Sequence, residues 1–174
     1  LLSMPENPEV MIIADALQCL LSYNIINIQS IIQPLYHDLT HLEKIKNVKI
    51  IKISSHGKLL YFVVETEDKC LIYLAFNLGM EGKFVFEREN NTLLLFSLFL
   101  EDKVSEKEES KTIYFDDSRR FSHFHIYTVY SDFEARIQGF DMLQQAIKVY
   151  KGICSINDEC WNNFYLSFKN KRIA

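Results

Sequence analysis

The chain has 174 residues, 48% of them hydrophobic, and a formal net charge of −4, which suits one domain with a real core and part of a second. No run of about eighteen uncharged apolar residues exists, which argues against a bilayer-spanning helix. The negative balance excludes attraction of the whole chain to nucleic acid, so any such contact must come from a local patch.

In chain order, Asn7-Pro8-Glu9 reads as a helix start: an N-cap, a proline at the first helical position and an acid in the first turn. Val10, Ile13, Ala14 and Leu17 follow at helical spacing, and the predicted helix covers residues 8–22. Residues 25–32 read as a strand, and "PLYHDLTHLEKI" as a connector with a helical turn or two. Seven strand-like runs then come close together: "VKIIKISS", "KLLYFVVET", "CLIYLAFNL", "GKFVFER", "NTLLLFSLFL", "KTIYF" and "FHIYTVY". They are rich in Val, Ile, Tyr and Phe and punctuated by turn residues, which argues for an antiparallel sandwich or barrel. The charged segment "EDKVSEKEES" between "NTLLLFSLFL" and "KTIYF" is expected to be a solvated loop.

After Tyr130 the pattern turns helical, with Trp161, Phe164, Tyr165 and Phe168 spaced along one face and Asn157 or Asp158 as a cap. From residue 148 onward five basic residues face two acidic ones, and the pattern reads as cut off at Ala174. The N-terminus carries no secretory signal pattern. Cys19, Cys70, Cys154 and Cys160 are far apart without a Cys-x-x-Cys pair, the usage of reduced thiols inside a cell. "HDLTH" at His37–His41 imitates a zinc-protease signature but has Asp for Glu and no third ligand, so no metal site is expected. His123 and His125 alternate along a strand and face one side, toward either an interface edge or a core.

Four stretches are hard to explain as core and turns alone. "MPENPEV" sets Met4-Pro5-Glu6 before the helix cap, which the cap does not require. "SSHGKLLYF" places Lys58 after a glycine at a strand start. "NLGMEGK" puts Met80 at the tip of a loop with two glycines, and "YFDDSRRFSHF" packs Asp117, Arg119, Arg120 and Phe121 into one turn. Each taken singly has a bland reading as edge charge, hairpin or surface turn.

Together and in this order they resemble the N-terminal domain of the formamidopyrimidine-DNA glycosylase and endonuclease VIII family (Fpg/Nei), from Met4 to about Phe124. The later helices resemble the opening of that family's helix-two-turns-helix domain. The resemblance implies an α+β fold: an antiparallel β-sandwich of about eight strands flanked by helices over 1–130, followed by a truncated helical DNA-binding segment over 131–174. It implies base-excision repair, with a glycosylase that removes oxidised bases and then cleaves the strand by β-elimination. Pro5, Glu6, Glu9 and Lys58 are the catalytic set it implies. Lys58 also binds phosphate beside the lesion, Met80 and Phe121 fill the vacated stack, Arg119 reaches the orphaned base, and Arg120 contacts phosphate.

The chemistry agrees. If Met4 is an initiator that is removed, Pro5 becomes a secondary amine titrating near about 8, a usable nucleophile at neutral pH. Attack on the sugar C1′ expels the base and leaves an iminium with no N–H to lose, so the cation persists as an electron sink. Glu6 beside it suits general acid–base work. Extruding the base costs a few kcal/mol and leaves a hole that apolar wedges fill. As written, Leu1-Leu2-Ser3 precede Met4 and read as an expression remnant; Pro5 is then an amide, and this form is expected to be inactive.

Departures from the family pattern are Asn77 where histidine is common, Glu81 where serine is usual, and Ser118 and Ser122 for the frequent proline and glycine. No cofactor is expected within the chain, since the family's zinc or zincless finger would lie beyond residue 174. The expected partner is damaged double-stranded DNA, met by a monomer in the nucleus or cytoplasm without a membrane. The alternative is a catalytically inactive relative or fragment that binds DNA or a protein through the same surface. A structural sandwich with no DNA role requires the four motifs to coincide.

Overall fold

The run Leu59-Leu60-Tyr61-Phe62-Val63-Val64 is buried at every position, so this strand must be covered on both faces. The computed structural model, which describes residues 7–32, 35–102 and 104–137, shows how. Helix α1 (Asn7–Ala16) runs into a 3₁₀ turn (Leu17–Leu20) and is followed by β1 (Asn24–Ser30), β2 (Val48–His56), β3 (Leu59–Glu65), β4 (Leu71–Asn77), β5 (Lys83–Val85), β6 (Thr92–Asp102), β7 (Lys107–Asp116), β8 (His123–Tyr127) and helix α2 (Tyr130–Arg136). The eight strands form one sheet in the order β5-β7-β6-β1-β2-β3-β4-β8, antiparallel throughout. This is the α+β architecture expected from the sequence.

The sheet folds over itself, so that side chains from its two halves share one core. Phe84 of β5 stacks on Phe62 of β3 at 5.7 Å, and Phe76 of β4 meets Phe115 of β7 at 5.5 Å and Phe96 of β6 at 6.2 Å. Phe62, Phe76, Phe96, Phe115 and Phe124 are all fully buried there, each ring contributing about 1.5–3 kcal/mol by leaving water. A second cluster lies on the opposite face of β3 and β4, where Phe133 of α2 stacks on Tyr73 at 4.4 Å and covers Tyr61 edge-on at 5.1 Å.

Val10, Ala14 and Leu17 of the first helical segment are buried and Ile13 is partly buried against the core, the face read from the sequence. The segment tightens at Leu17 and ends before residue 22 because Ser22 adopts φ 74° and gives its N–H to the Ile50 carbonyl. Gln18 Nε2 reaches both the Ala14 carbonyl at 2.9 Å and the Ile53 carbonyl at 2.8 Å. Residues 22 and 18 thus meet β2 at 50 and 53 in turn, so α1 runs antiparallel to β2. Its first turn points toward the end of the sheet that carries His56 and Lys58.

One expectation is corrected. The segment 101–110 is not all loop: β6 runs on to Asp102 and β7 begins at Lys107, so the two form a ribbon with Asp102 opposite Lys107 and Glu101 opposite Glu108. Charged side chains tolerate a two-stranded ribbon when both its faces meet water, and Asp102 closes the tip by accepting from the Val104 N–H and the Ser105 hydroxyl. "GKFVFER" shortens to the three residues of β5, and the connector after residue 34 contains a single 3₁₀ turn at Leu42–Lys44. The helices expected beyond residue 137 lie outside the described residues.

Candidate nucleic-acid interface

Two of the singled-out loops are crossovers at one end of the folded sheet. β4 and β8 are neighbours at one edge, and β5 and β7 at the other. The chain must therefore cross between the edges twice, from β4 to β5 through "LGMEG" and from β7 to β8 through "DSRRFS". Both crossings leave from and arrive at adjacent strands, so they run side by side. Lys58 joins them by register: His56 pairs with Leu59, Leu59 with Asn77 and Asn77 with His123. With strands about 4.8 Å apart, the Gly57-Lys58 turn, the start of the Met80 loop and the end of the arginine turn form one rank.

Local chemistry fixes each crossing. In the first, Asn77 Oδ1 accepts the Gly79 N–H at 3.0 Å, and Gly82 gives its N–H to the Leu78 carbonyl at 2.8 Å. A Cβ on Gly82 would stand 2.4 Å from that carbonyl oxygen, so only glycine permits the closure. Met80, half-buried, is left at the tip. The side chain standing where the family pattern favours histidine therefore shapes the loop here.

The second crossing is organised by Asp117, a buried carboxylate. Its Oδ1 accepts the Arg119 N–H at 3.1 Å, its Oδ2 accepts the Ser122 N–H at 2.8 Å, and its main-chain carbonyl takes the Arg120 N–H at 3.3 Å. Gathering these donors inward turns Arg119, Arg120 and Phe121 out to solvent. Arg120 adopts φ 57° to complete the turn, and Phe121 is left 45% exposed.

The crossings touch. Arg119 Nη1 lies 3.8 Å from Met80 Sδ, and its Nε pairs with Glu81 Oε1 at 3.3 Å. Met80, Arg119 and Phe121 are thus brought to one place. Lys58 lies exposed on its turn at the same end, and Arg120 projects from the same turn as Arg119. Glu9 is exposed in the first turn of α1. Pro5 and Glu6 lie outside the described residues.

His37 is a participant that sequence reasoning set aside as a false metal motif. Its Nε2 lies 2.9 Å from Ser122 Oγ, and its ring packs between Phe115 and Phe124 beneath the arginine turn. Burial pushes its pKa down to about 4, against a smaller upward pull from Asp117. The neutral ring fits: an imidazolium would bury an unpaired donor at Nδ1, which has no partner. The adjoining strip pairs its main chain with β8 through His37 and Phe124. Asp38 holds His125 Nδ1 at 3.1 Å, and Tyr36 stacks on His123 at 5.0 Å. This strip covers the open edge of β8. No signal in the sequence pairs residue 37 with residue 122, which are 85 positions apart.

Among the described residues no cluster of three or more metal-ligating side chains occurs, and no helix is long and apolar enough to cross a membrane.

Comparison with known proteins identifies the family of the chain. The family model for the formamidopyrimidine-DNA glycosylase N-terminal domain matches residues 4–124. The formamidopyrimidine-DNA glycosylase of Ureaplasma parvum is 30% identical over 130 residues, covering 71% of this chain and 44% of that protein. The crystal structure of the MutM (Fpg) protein from Thermus thermophilus superposes with a TM-score of 0.56 at 24% identity, covering 71% of this chain and 41% of that one. Lactococcus lactis Fpg in complex with DNA containing N7-benzyl-Fapy-dG gives 0.59 at 21% identity, covering 77% and 48%. The chain spans less than half the length of each of these relatives, and the two structural likenesses bear on the fold alone.

Proposed function

Since the chain belongs to the family of formamidopyrimidine-DNA glycosylase N-terminal domains, we propose that it serves a base-excision repair glycosylase that removes oxidised bases from duplex DNA and then cleaves the strand. The observation that carries this reading is the meeting of Met80, Arg119 and Phe121 on paired crossovers, at the sheet end that also bears Lys58.

Extruding a nucleotide costs a few kcal/mol and leaves an unpaired base beside a gap. A thioether and an exposed phenyl ring suit the gap, and a guanidinium offers planar donors to the orphaned base. Lys58 and Arg120 supply phosphate contacts that position the duplex without reading it. This local cationic edge answers the difficulty posed by a net charge of −4.

For the chemistry, Pro5 with a free imino group attacks C1′ as the glycosidic bond breaks, and the departing base takes a proton supplied through Glu6. The attacking nitrogen then gives up its proton and the C1′–O4′ bond breaks, O4′ leaving as a hydroxyl, so that the opened sugar is held as an iminium. The iminium then acidifies the C2′ proton. Its loss drives β-elimination, in which the C3′–O bond breaks and the 3′ phosphate leaves. Glu9 supports this site from the first turn of α1.

The test is reductive trapping. Full-length protein whose first residue is Pro5, mixed with duplex carrying an oxidised base and treated with borohydride, is expected to give a covalent protein–DNA adduct. Protein beginning at Leu1, in which Pro5 is an amide, is expected to give none. Absence of adduct from both forms, with binding retained, would replace the enzymatic reading by that of a DNA-binding module.

A further inference from the structure

Arg119 is held at its main chain and at the Nε of its side chain. Its main-chain N–H is fixed by Asp117, and its Nε is paired with Glu81 Oε1 at 3.3 Å. Glu81 itself sits on a constrained segment, between the positive-φ Gly79 and the Gly82 turn that closes on Leu78. The carboxylate is the more buried partner of the pair, 23% exposed against 43% for the guanidinium.

A guanidinium has five donors in one plane. Engaging Nε with a fixed acceptor chooses its rotation. The ion pair at Nε leaves Nη1 and Nη2 as the donors still to be engaged, with Nη1 toward Met80 Sδ at 3.8 Å. Two parallel donors match a base edge with two adjacent acceptors and meet a donor on other edges unfavourably.

We infer that Glu81 is a specificity-determining residue: by clamping Nε it selects the edge that Arg119 presents, and so sets which opposite base the protein tolerates across from an extruded nucleotide. The inference rests on the function proposed above. An exposed ion pair of this kind contributes little to stability, so its effect is on orientation. It also carries a cost, because a carboxylate at the tip facing the duplex repels phosphate. Glu81 therefore trades overall affinity for discrimination, and the two can be measured apart.

The experiment uses the full chain and four duplexes that differ only in the base opposite a stable abasic analogue, with affinities read by fluorescence anisotropy at two salt concentrations. Glu81→Ala is expected to bind all four more tightly at low salt, while the spread between best and worst opposite base narrows by roughly fivefold or more. Glu81→Gln keeps an oxygen that can accept from Nε, so it is expected to gain affinity yet hold most of the spread. A wild-type profile that is flat across the four bases overturns the inference. So does an unchanged spread in Glu81→Ala, an equal loss of affinity for all four duplexes, or a spread in Glu81→Gln as collapsed as in Glu81→Ala. A wild-type chain that binds the abasic duplexes no better than intact DNA overturns the repair function as well, which separates the two failures.

Discussion

Gly79 lies so close to Phe121 that a Cβ built on it would stand 2.9 Å from the Phe121 carbonyl carbon. The two crossovers are therefore in backbone contact, and the glycine is required twice, for this approach and for its φ of 61°. Gly79→Ala is expected to cost about 1–3 kcal/mol of stability from the backbone conformation and the contact combined. Because the substitution forces the Met80 loop away from the arginine turn, affinity for abasic duplex should fall more than affinity for intact duplex. Denaturant unfolding and anisotropy on one sample would show both effects; a variant with wild-type stability and wild-type preference would deny the contact.

Asp117 gathers the second crossover. An amide at this position cannot accept two N–H groups as the carboxylate does, and its NH₂ would face one of them. Asp117→Asn is expected to lose roughly 1.5–3 kcal/mol, the value of a hydrogen bond to a charged group. The turn carrying Arg119 and Phe121 should loosen, visible as faster amide exchange at Arg119 or Ser122. Unchanged exchange at both residues would mean that the turn is held by something other than this carboxylate.

His37 gives stability a pH dependence whose sign follows from its environment. Its folded pKa is about 4, lowered first by burial, against an ordinary value of 6.5. Between these values the unfolded chain carries a proton on this ring that the folded chain lacks, so stability rises with pH across the window. The contribution is complete above about 6.5 and is lost as pH falls toward 4. With allowance for partial access of water to the ring, it amounts to roughly 1–3 kcal/mol. His37→Gln, whose amide can still reach Ser122, should flatten the rise of stability between pH 4 and 6.5. Equal slopes for the two proteins in urea titrations would show that the ring is not held neutral.

The parts legible in the sequence were those set by neighbours along the chain. Short runs rich in Val, Ile, Tyr and Phe between turn residues marked the strands, and Val10, Ala14 and Leu17 marked the buried face of the first helix. The two glycines around Met80 and the Asp-Asp-Ser-Arg-Arg-Phe turn marked two loops because their backbone demands are local, while their crossing from one sheet edge to the other is set by the strand order. What escaped depends on distant pairs. His37 gained its role only through Ser122, and a strip of polar residues looked like a poor metal motif until it covered the edge of β8. The ribbon formed by residues 101–110 escaped for a related reason: its strands are exposed on both faces, so no apolar alternation announces them, and pairing with the core part of β6 and β7 extends them outward.

Lys58 and Phe121 stand at one end of the sheet but should fail in different ways. In the proposed function Lys58 supplies charge toward phosphate, which every duplex carries. Lys58→Ala is therefore expected to weaken binding to intact and abasic DNA alike and to lower the salt dependence of log K by about 1. On the same proposal Phe121 supplies a ring for a gap that only a duplex with an extruded or absent base presents. Phe121→Ala should leave the salt dependence unchanged while lowering affinity for abasic duplex by an amount of the order of one stacking contact, about 1–3 kcal/mol. Because the ring is already 45% exposed without DNA, its removal should leave thermal stability within about 0.5 kcal/mol. Anisotropy titrations of both variants on both duplexes at several salt concentrations give the four comparisons needed. If Phe121→Ala weakens intact and abasic binding equally, the ring lies on the outside of the duplex and the assignment of this edge to a vacated stack fails.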